Sequence, residues 1–238
     1  MSAPSRVTNV LDEDRDLAEH LSGTRLEEAR RDAVAHLMLV HVGEWSPTEG
    51  RRSAVGALGL LILEGMLARK TSIGGRPSLE LFGAGDLLRP SDEAGSLLIR
   101  PQQVHWWALT PIRLAVLDAR FTSRMCSYPE VIEALNGRLE RRSSTHALRL
   151  AIMQQPHLSE RLHLLLWHLA DQFGQVHPEG VVLAIPLTHG LLAQLVGARR
   201  PSVSGALKEL ERATLVVRRP DGSWLLGGAP PKGADPSL

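Results

Sequence analysis

The residues best suited to chemistry in this chain lie between Gly197 and Arg219. Arg199, Arg200, Lys208, Arg212, Arg218 and Arg219 stand there against Glu209 and Glu211, a local charge of +4 in a chain whose formal charge is only +1. Arginine forks and lysine ammonium groups bind phosphate oxygens, arginine also reads guanine edges, and the hydroxyls of Ser202 and Ser204 add donors and acceptors beside them. A basic run alone is usually a solvated face. These charges fall at a helix start and a turn, where a phosphate backbone would lie, so the chemistry expected is nucleic-acid binding.

The other candidate constellations are weaker. His157, His163 and His168 are six and five residues apart, whereas helical ligands stack at spacings of three or four, and no metal is expected. His36 and His41 would point to opposite faces of a strand. His105-Trp-Trp107 reads as β-core or as a pocket wall, with the core the commoner outcome. Asp86, Asp92 and Glu93 sit among turn residues with no partner base. A Walker A loop, a dinucleotide fingerprint, a nucleophile elbow and a His-Glu-x-x-His helix are all missing, so no catalytic residue, cofactor or enzyme activity is expected.

Two short helices and a hairpin must position the basic groups. Thr188 offers its hydroxyl as an N-cap, and His189 to Val196 then places Leu192, Leu195 and Val196 on one face. Gly197 lets the chain turn through positive φ, and Pro201 presets the first turn of a second helix, about Pro201 to Ala213. Val203, Ala206, Leu207 and Leu210 form its buried stripe. Small Ala193 and Ala206 allow the two helices to cross closely, which is the spacing of a helix-turn-helix. Leu215 to Val217 and Ser223 to Leu226 flank Arg218-Arg-Pro-Asp-Gly222, a hairpin turn that would form a wing.

Upstream, Met1 to Asn9 reads as disordered and Val10 to about Arg31 as one helix serving as a lid or interface. Apolar runs at Val34 to Val42, Gly56 to Leu67, Leu79 to Leu81, Ser96 to Ile99, Val104 to Leu109 and Arg113 to Leu117, separated by Gly/Pro/Asp turns, read as strands of a sandwich or jelly roll. A long helix follows from Tyr128 to about Met153. Its stripe of Ile132, Leu135, Leu139, His146 and Met153 suggests a dimer seam, although Arg142 and Arg149 interrupt it and packing on its own domain is the alternative. Leu158 to Phe173 forms another helix. The fold class expected is α+β, with boundaries at 1–127 for the helix and β domain, 128–155 for the long helix, 156–228 for the winged helix-turn-helix and 229–238 for a flexible tail.

With 43% hydrophobic and 22% charged residues, the chain has the composition of a soluble globular protein. A single cysteine, Cys126, excludes an intrachain disulfide and fits a reducing compartment. With no apolar leader and no uninterrupted spanning stretch, a cytoplasmic protein without membrane contact is expected.

The order of these elements resembles the Crp/Fnr family of bacterial transcription regulators. Leu187-Thr-His-Gly-Leu-Leu-Ala-Gln-Leu-Val-Gly-Ala-Arg-Arg-Pro-Ser-Val-Ser-Gly-Ala-Leu-Lys-Glu-Leu210 is similar to the family's DNA-reading motif, Tyr128-Pro-Glu-Val131 opens a helix like its dimer helix, and Gly56 to Leu67 with Gly83-Ala-Gly-Asp86 resemble its jelly-roll turns. The resemblance implies a homodimer that binds double-stranded DNA and, by family likeness, RNA polymerase. It implies base-reading positions at Arg200, Ser202, Ser204 and Gly205, with Thr188, Arg199 and Lys208 nearer phosphate; Arg218 and Arg219 lie in the wing. The family's cyclic-nucleotide members use a Gly-Glu pair and an Arg-Ser or Arg-Thr pair. Here Leu87-Leu-Arg-Pro90 and Gln102-Gln103 stand in those places, with Arg100 nearby, so no micromolar cyclic AMP or cyclic GMP site is expected. Arg89, Arg100, Gln102, Gln103, Ser143, Ser144, Thr145 and His146 remain candidate polar groups for another small-molecule effector; the last four read equally well as surface. A ligand-binding or protein-interaction module whose winged helix touches protein is the alternative function.

Overall fold

The computed structural model describes residues 6–47, 56–89 and 103–231. It divides into two compact units, Met1–Gly75 with Glu80–Ser143, and Arg76–Leu79 with Ser144–Leu238. The fold is α+β, with a jelly-roll-like β domain, a long helix and a C-terminal winged helix-turn-helix.

The first unit is built on two antiparallel sheets. One has the order β1 (Val7–Asn9), β2 (Val34–Val40), β9 (Ile112–Leu117), β4 (Gly59–Glu64) and β7 (Leu87–Leu88). The other has the order β3 (Gly43–Trp45), β8 (Gln103–Ala108), β5 (Leu67–Ile73) and β6 (Arg76–Phe82). Alternation along the strands sorts side chains between two cores. Ile112, Leu114 and Val116 of β9, with Leu60 and Ile62 of β4, pack against Leu67, Phe82 and Trp106 from the second sheet. Ala115, Leu117 and Leu61 point the other way, into a helical layer. Both faces of β4 and β9 are therefore covered, which is why these strands read as continuous apolar runs.

That helical layer corrects two expectations. Residues Val7–Asn9 form a strand paired with β2, and the single helix expected from Val10 to Arg31 is instead α1 (Val10–Glu13), a 3-10 turn (Arg15–Ala18) and α2 (Gly23–Asp32). Nor is this segment a lid, because Val10, Leu11, Leu17, Leu21 and Ala29 are buried in the core beneath the five-stranded sheet. A four-residue helix cannot persist on its own propensity. Burial of Val10 and Leu11, each worth about 1.5–3 kcal/mol, and the Asn9 side chain accepting from the Leu11 and Asp12 amides hold it in place.

Helix α3 (Ala119–Met125) leads to α4 (Pro129–Met153). One member of the expected dimer stripe on α4, Leu135, is a further correction. Leu135 is fully buried in the unit's own core, and Ile132 and Leu139 pack against the same cluster. An apolar stripe reports that something covers it, and for Leu135 the first unit does, while Ile132 and Leu139 are half-buried. His146 is exposed. Arg142, which breaks the heptad, is itself placed by this packing: it pairs with Glu80 and with Asp86 at 3.2 Å, and its guanidinium lies 3.6 Å from the Phe82 ring centroid.

The second unit contains α5 (Leu158–Phe173), β10 (Gly174–His177), β11 (Gly180–Leu183), α6 (His189–Val196), α7 (Arg200–Arg212), β12 (Val216–Arg218) and β13 (Trp224–Leu226). Its four strands form one antiparallel sheet in the order β10-β11-β13-β12. The β10–β11 hairpin was not expected from the sequence. Leu162, Leu165, Leu166 and Leu169 of α5 are buried, as are the apolar faces of α6 and α7, and α5 packs on both.

Candidate nucleic-acid interface

The interface grows from the way α6 and α7 are joined. The Thr188 hydroxyl accepts from the Leu191 amide at 3.2 Å, capping α6 at its start. At its end Gly197 adopts φ 65° and ψ 32°, and the Ala198 amide returns to the Ala193 carbonyl at 2.9 Å. Arg161 of α5 donates to the Val196 carbonyl at 3.1 Å, so the last turn of α6 is tied to the supporting helix. Pro201 then sits in the first turn of α7.

Helix α7 shows a divided surface. Val203, Ala206, Leu207 and Leu210 are buried, while Arg199, Arg200, Ser202, Gly205 and Lys208 are exposed. Gly205 is unusual in a helix interior, where glycine costs about 1 kcal/mol relative to alanine. A Cβ there would meet nothing within 4 Å. The fold therefore gives no steric reason for glycine at this exposed position.

Trp224 anchors the wing against this surface. It is fully buried and donates its indole N–H to the Leu187 carbonyl at 3.2 Å. Its ring lies 6.1 Å from the His189 ring, and the Arg218 guanidinium is 5.4 Å from its centroid. Thr188, His189, Gly190, Arg200 and Arg218 thereby line one cavity of about 460 Å³. Arg219, by contrast, is paired with exposed Glu179 at 2.7 Å. An exposed pair of this kind is worth about 0–1 kcal/mol, small enough for a phosphate to compete with Glu179.

His189 is the residue in this cluster that sequence reasoning missed. Its Nδ1 lies 2.8 Å from the Ser204 Oγ, and Ser204 donates to the Arg200 carbonyl at 3.1 Å. Burial, followed by the nearby charges of Arg218 and Arg200, holds the His189 pKa below its ordinary value, with Glu211 acting in the opposite direction. The only hint in the sequence was its position directly after the Thr188 cap. Ser204 is half-buried and its hydroxyl is engaged by these two neighbours, so it braces the two helices.

The candidate effector residues are more scattered. Arg89 is exposed and donates Nε to the Leu58 carbonyl at 3.0 Å. Ser143, Ser144 and His146 are exposed on α4, and Thr145 is half-buried. Arg100 and Gln102 lie outside the described residues, as does the side chain of Gln103. The prominent polar group inside the first unit is a different one, formed by Arg69, Glu80, Asp86 and Arg142. Arg69 donates Nε to Glu80 at 2.9 Å and stacks near Phe82 and Trp106. Glu80 thus receives both arginines. The described residues contain no cluster of three or more potential metal ligands and no helix long and apolar enough to cross a membrane.

Residues 160–226 match the Crp-like helix-turn-helix domain. Among solved structures, the fold is similar to a cyclic nucleotide-binding domain containing protein from Listeria monocytogenes, with TM-score 0.65 and 18% identity over 79% of this chain and 87% of that one. It is also similar to a CooA variant from Carboxydothermus hydrogenoformans, with TM-score 0.63 and 15% identity over 95% and 93% of the two chains. A transcriptional regulator of the CRP/FNR family from Thermus thermophilus aligns with TM-score 0.56 and 20% identity over 81% and 93%. No curated protein matches the chain.

Proposed function

We propose, from the premise that residues 160–226 form a Crp-like helix-turn-helix domain on a Crp/Fnr-type fold, that the chain is a sequence-specific DNA-binding transcription regulator acting as a dimer. The observation that carries this reading is the shared surface of α7 and the wing. Arg199, Arg200, Ser202 and Lys208 are exposed at the start and outer side of α7, and Arg218 stands beside Arg200 across the cavity. A helix with this distribution enters a major groove with its N-terminal residues at base edges while the wing and the start of the preceding helix meet phosphates. In this reading Arg200 and Ser202 read bases, Gly205 lets the helix approach closely, and Thr188, Arg199, Lys208, Arg218 and Arg219 contact the backbone. A protein-binding winged helix would be expected to replace those charges with exposed apolar groups.

A cyclic nucleotide is not the effector in this reading. A buried phosphate needs a fixed cation. Arg69 and Arg142, inside the first unit, already share Glu80, and Arg142 also holds Asp86. Activation or repression through RNA polymerase follows from the family likeness alone.

The reading is tested by selecting bound fragments from a pool of random duplex DNA. Enrichment of an inverted repeat, with half-sites about 10 base pairs apart centre to centre, is the expected result. Recovery of no common sequence after repeated rounds would remove sequence-specific binding from the account.

A further inference from the structure

We propose that His189 is a proton-linked contact to the DNA backbone, accepting a proton as a phosphate enters the cavity it lines with Thr188, Gly190, Arg200 and Arg218. The inference rests on the DNA-binding reading and adds to it a residue and a linked proton.

The hydrogen-bond chain fixes where that proton goes. Ser204 has one hydroxyl hydrogen, and it is donated to the Arg200 carbonyl at 3.1 Å. Toward His189 the same oxygen can only accept, so the hydrogen on the 2.8 Å contact belongs to Nδ1. In the neutral ring Nε2 then carries the free lone pair, and no hydrogen bond to it is found among the described residues. Protonation creates a second N–H donor without disturbing Ser204 or α7.

The charges around the ring set the direction of the effect. Arg200 at the start of α7 and Arg218 on the wing disfavour a third positive charge, and Glu211 of α7 favours it. Its other neighbours, Trp224, Ser204, Thr188 and Gly190, carry no charge. With burial added, the free protein holds His189 largely neutral at neutral pH. A phosphate in the cavity offsets the two guanidinium charges and adds an attraction of its own, so the bound state holds the proton more tightly than the free state. The complex then contains more protons than its parts, and affinity rises as pH falls between the free and bound pKa values.

The test uses the full chain and a labelled random-sequence duplex of about 40 base pairs, since the backbone alone supplies the ligand. Fluorescence anisotropy is read from about pH 6 to pH 8 at constant salt, with circular dichroism at each pH to verify folding. A shift of about one pKa unit corresponds to an affinity gain of up to about tenfold per protomer across that range. His189→Gln is expected to bind at every pH as the wild type does near pH 8. His189→Arg, with its permanent charge, is expected to bind at every pH as the wild type does near pH 6. The same pH slope in wild type and His189→Gln overturns the proposal and leaves the DNA reading standing. No binding by any of the three proteins at any pH removes both.

Discussion

Arg200 and Arg218 line the same cavity, yet the proposed DNA complex asks different things of them. Arg200 is exposed at the first position of α7, where a guanidinium can pair with two acceptors on one base. Arg218 lies on the wing over Trp224 and faces the sugar-phosphate backbone in the proposed complex. Replacing Arg200 by Ala should cost about 1–3 kcal/mol on the selected site and relax preference at one position per half-site. Arg218→Ala should weaken all sequences alike and lower the steepness of the salt dependence by about one. Binding titrations on selected and random duplexes at several salt concentrations separate the two, and equal loss on both duplexes in Arg200→Ala would show that Arg200 reads no base.

At the scale of the element, α5 supports the interface and carries a weakness of its own. His163 is buried and accepts from the Trp167 indole at 3.1 Å, while His168 feels the charges of Asp171 and Arg149. Burial lowers both pKa values, which means that the folded unit binds these protons less readily than the unfolded chain. Their contribution to stability is complete above the ordinary imidazole value of about 6.5 and is lost as pH falls through the lower folded values. Thermal unfolding of the wild type should therefore shift downward below that pH, and His163→Gln should reduce the shift; identical pH profiles would exclude His163 as a cause. The α5 helix was fully legible from its leucine spacing, as were α7, the Thr188 cap, the Gly197 turn and the wing. The β10–β11 hairpin was hidden because Gly174–His177 carries one apolar residue, Val176, and so shows no strand alternation. Strand β5 was hidden by its charge: Arg69 and Lys70 interrupt its apolar residues, and Arg69 is held inside with Glu80 as an ion-pair partner. For the same reason the site was legible as a charge pattern, whereas the His189–Ser204 brace depends on two helices meeting and leaves no periodic mark in the sequence.

The proposed dimer must present two recognition helices to one duplex. An inverted repeat calls for a two-fold pair. The fully buried Leu135 cannot reach a second copy without dismantling the first unit's core, and Ile132 and Leu139 have only part of their surface free. Further along α4, however, Ser144, Ala147, Leu148 and Ala151 are exposed, with Leu148 at 47% and the neighbouring Leu150 at 67%. Their spacing of three and four residues keeps them on one side of the helix, and the small side chains permit a close helix–helix approach. We place the dimer contact there, between α4 of one copy and α4 of the other. Leu148→Glu with Ala151→Glu puts like charges into that contact at positions where the isolated chain is open to solvent, so folding should be retained. Sedimentation should show monomers, and binding to a selected inverted repeat should fall to the level of a single half-site. A dimer of unchanged mass, with the same preference for paired half-sites, would locate the seam elsewhere on the molecule.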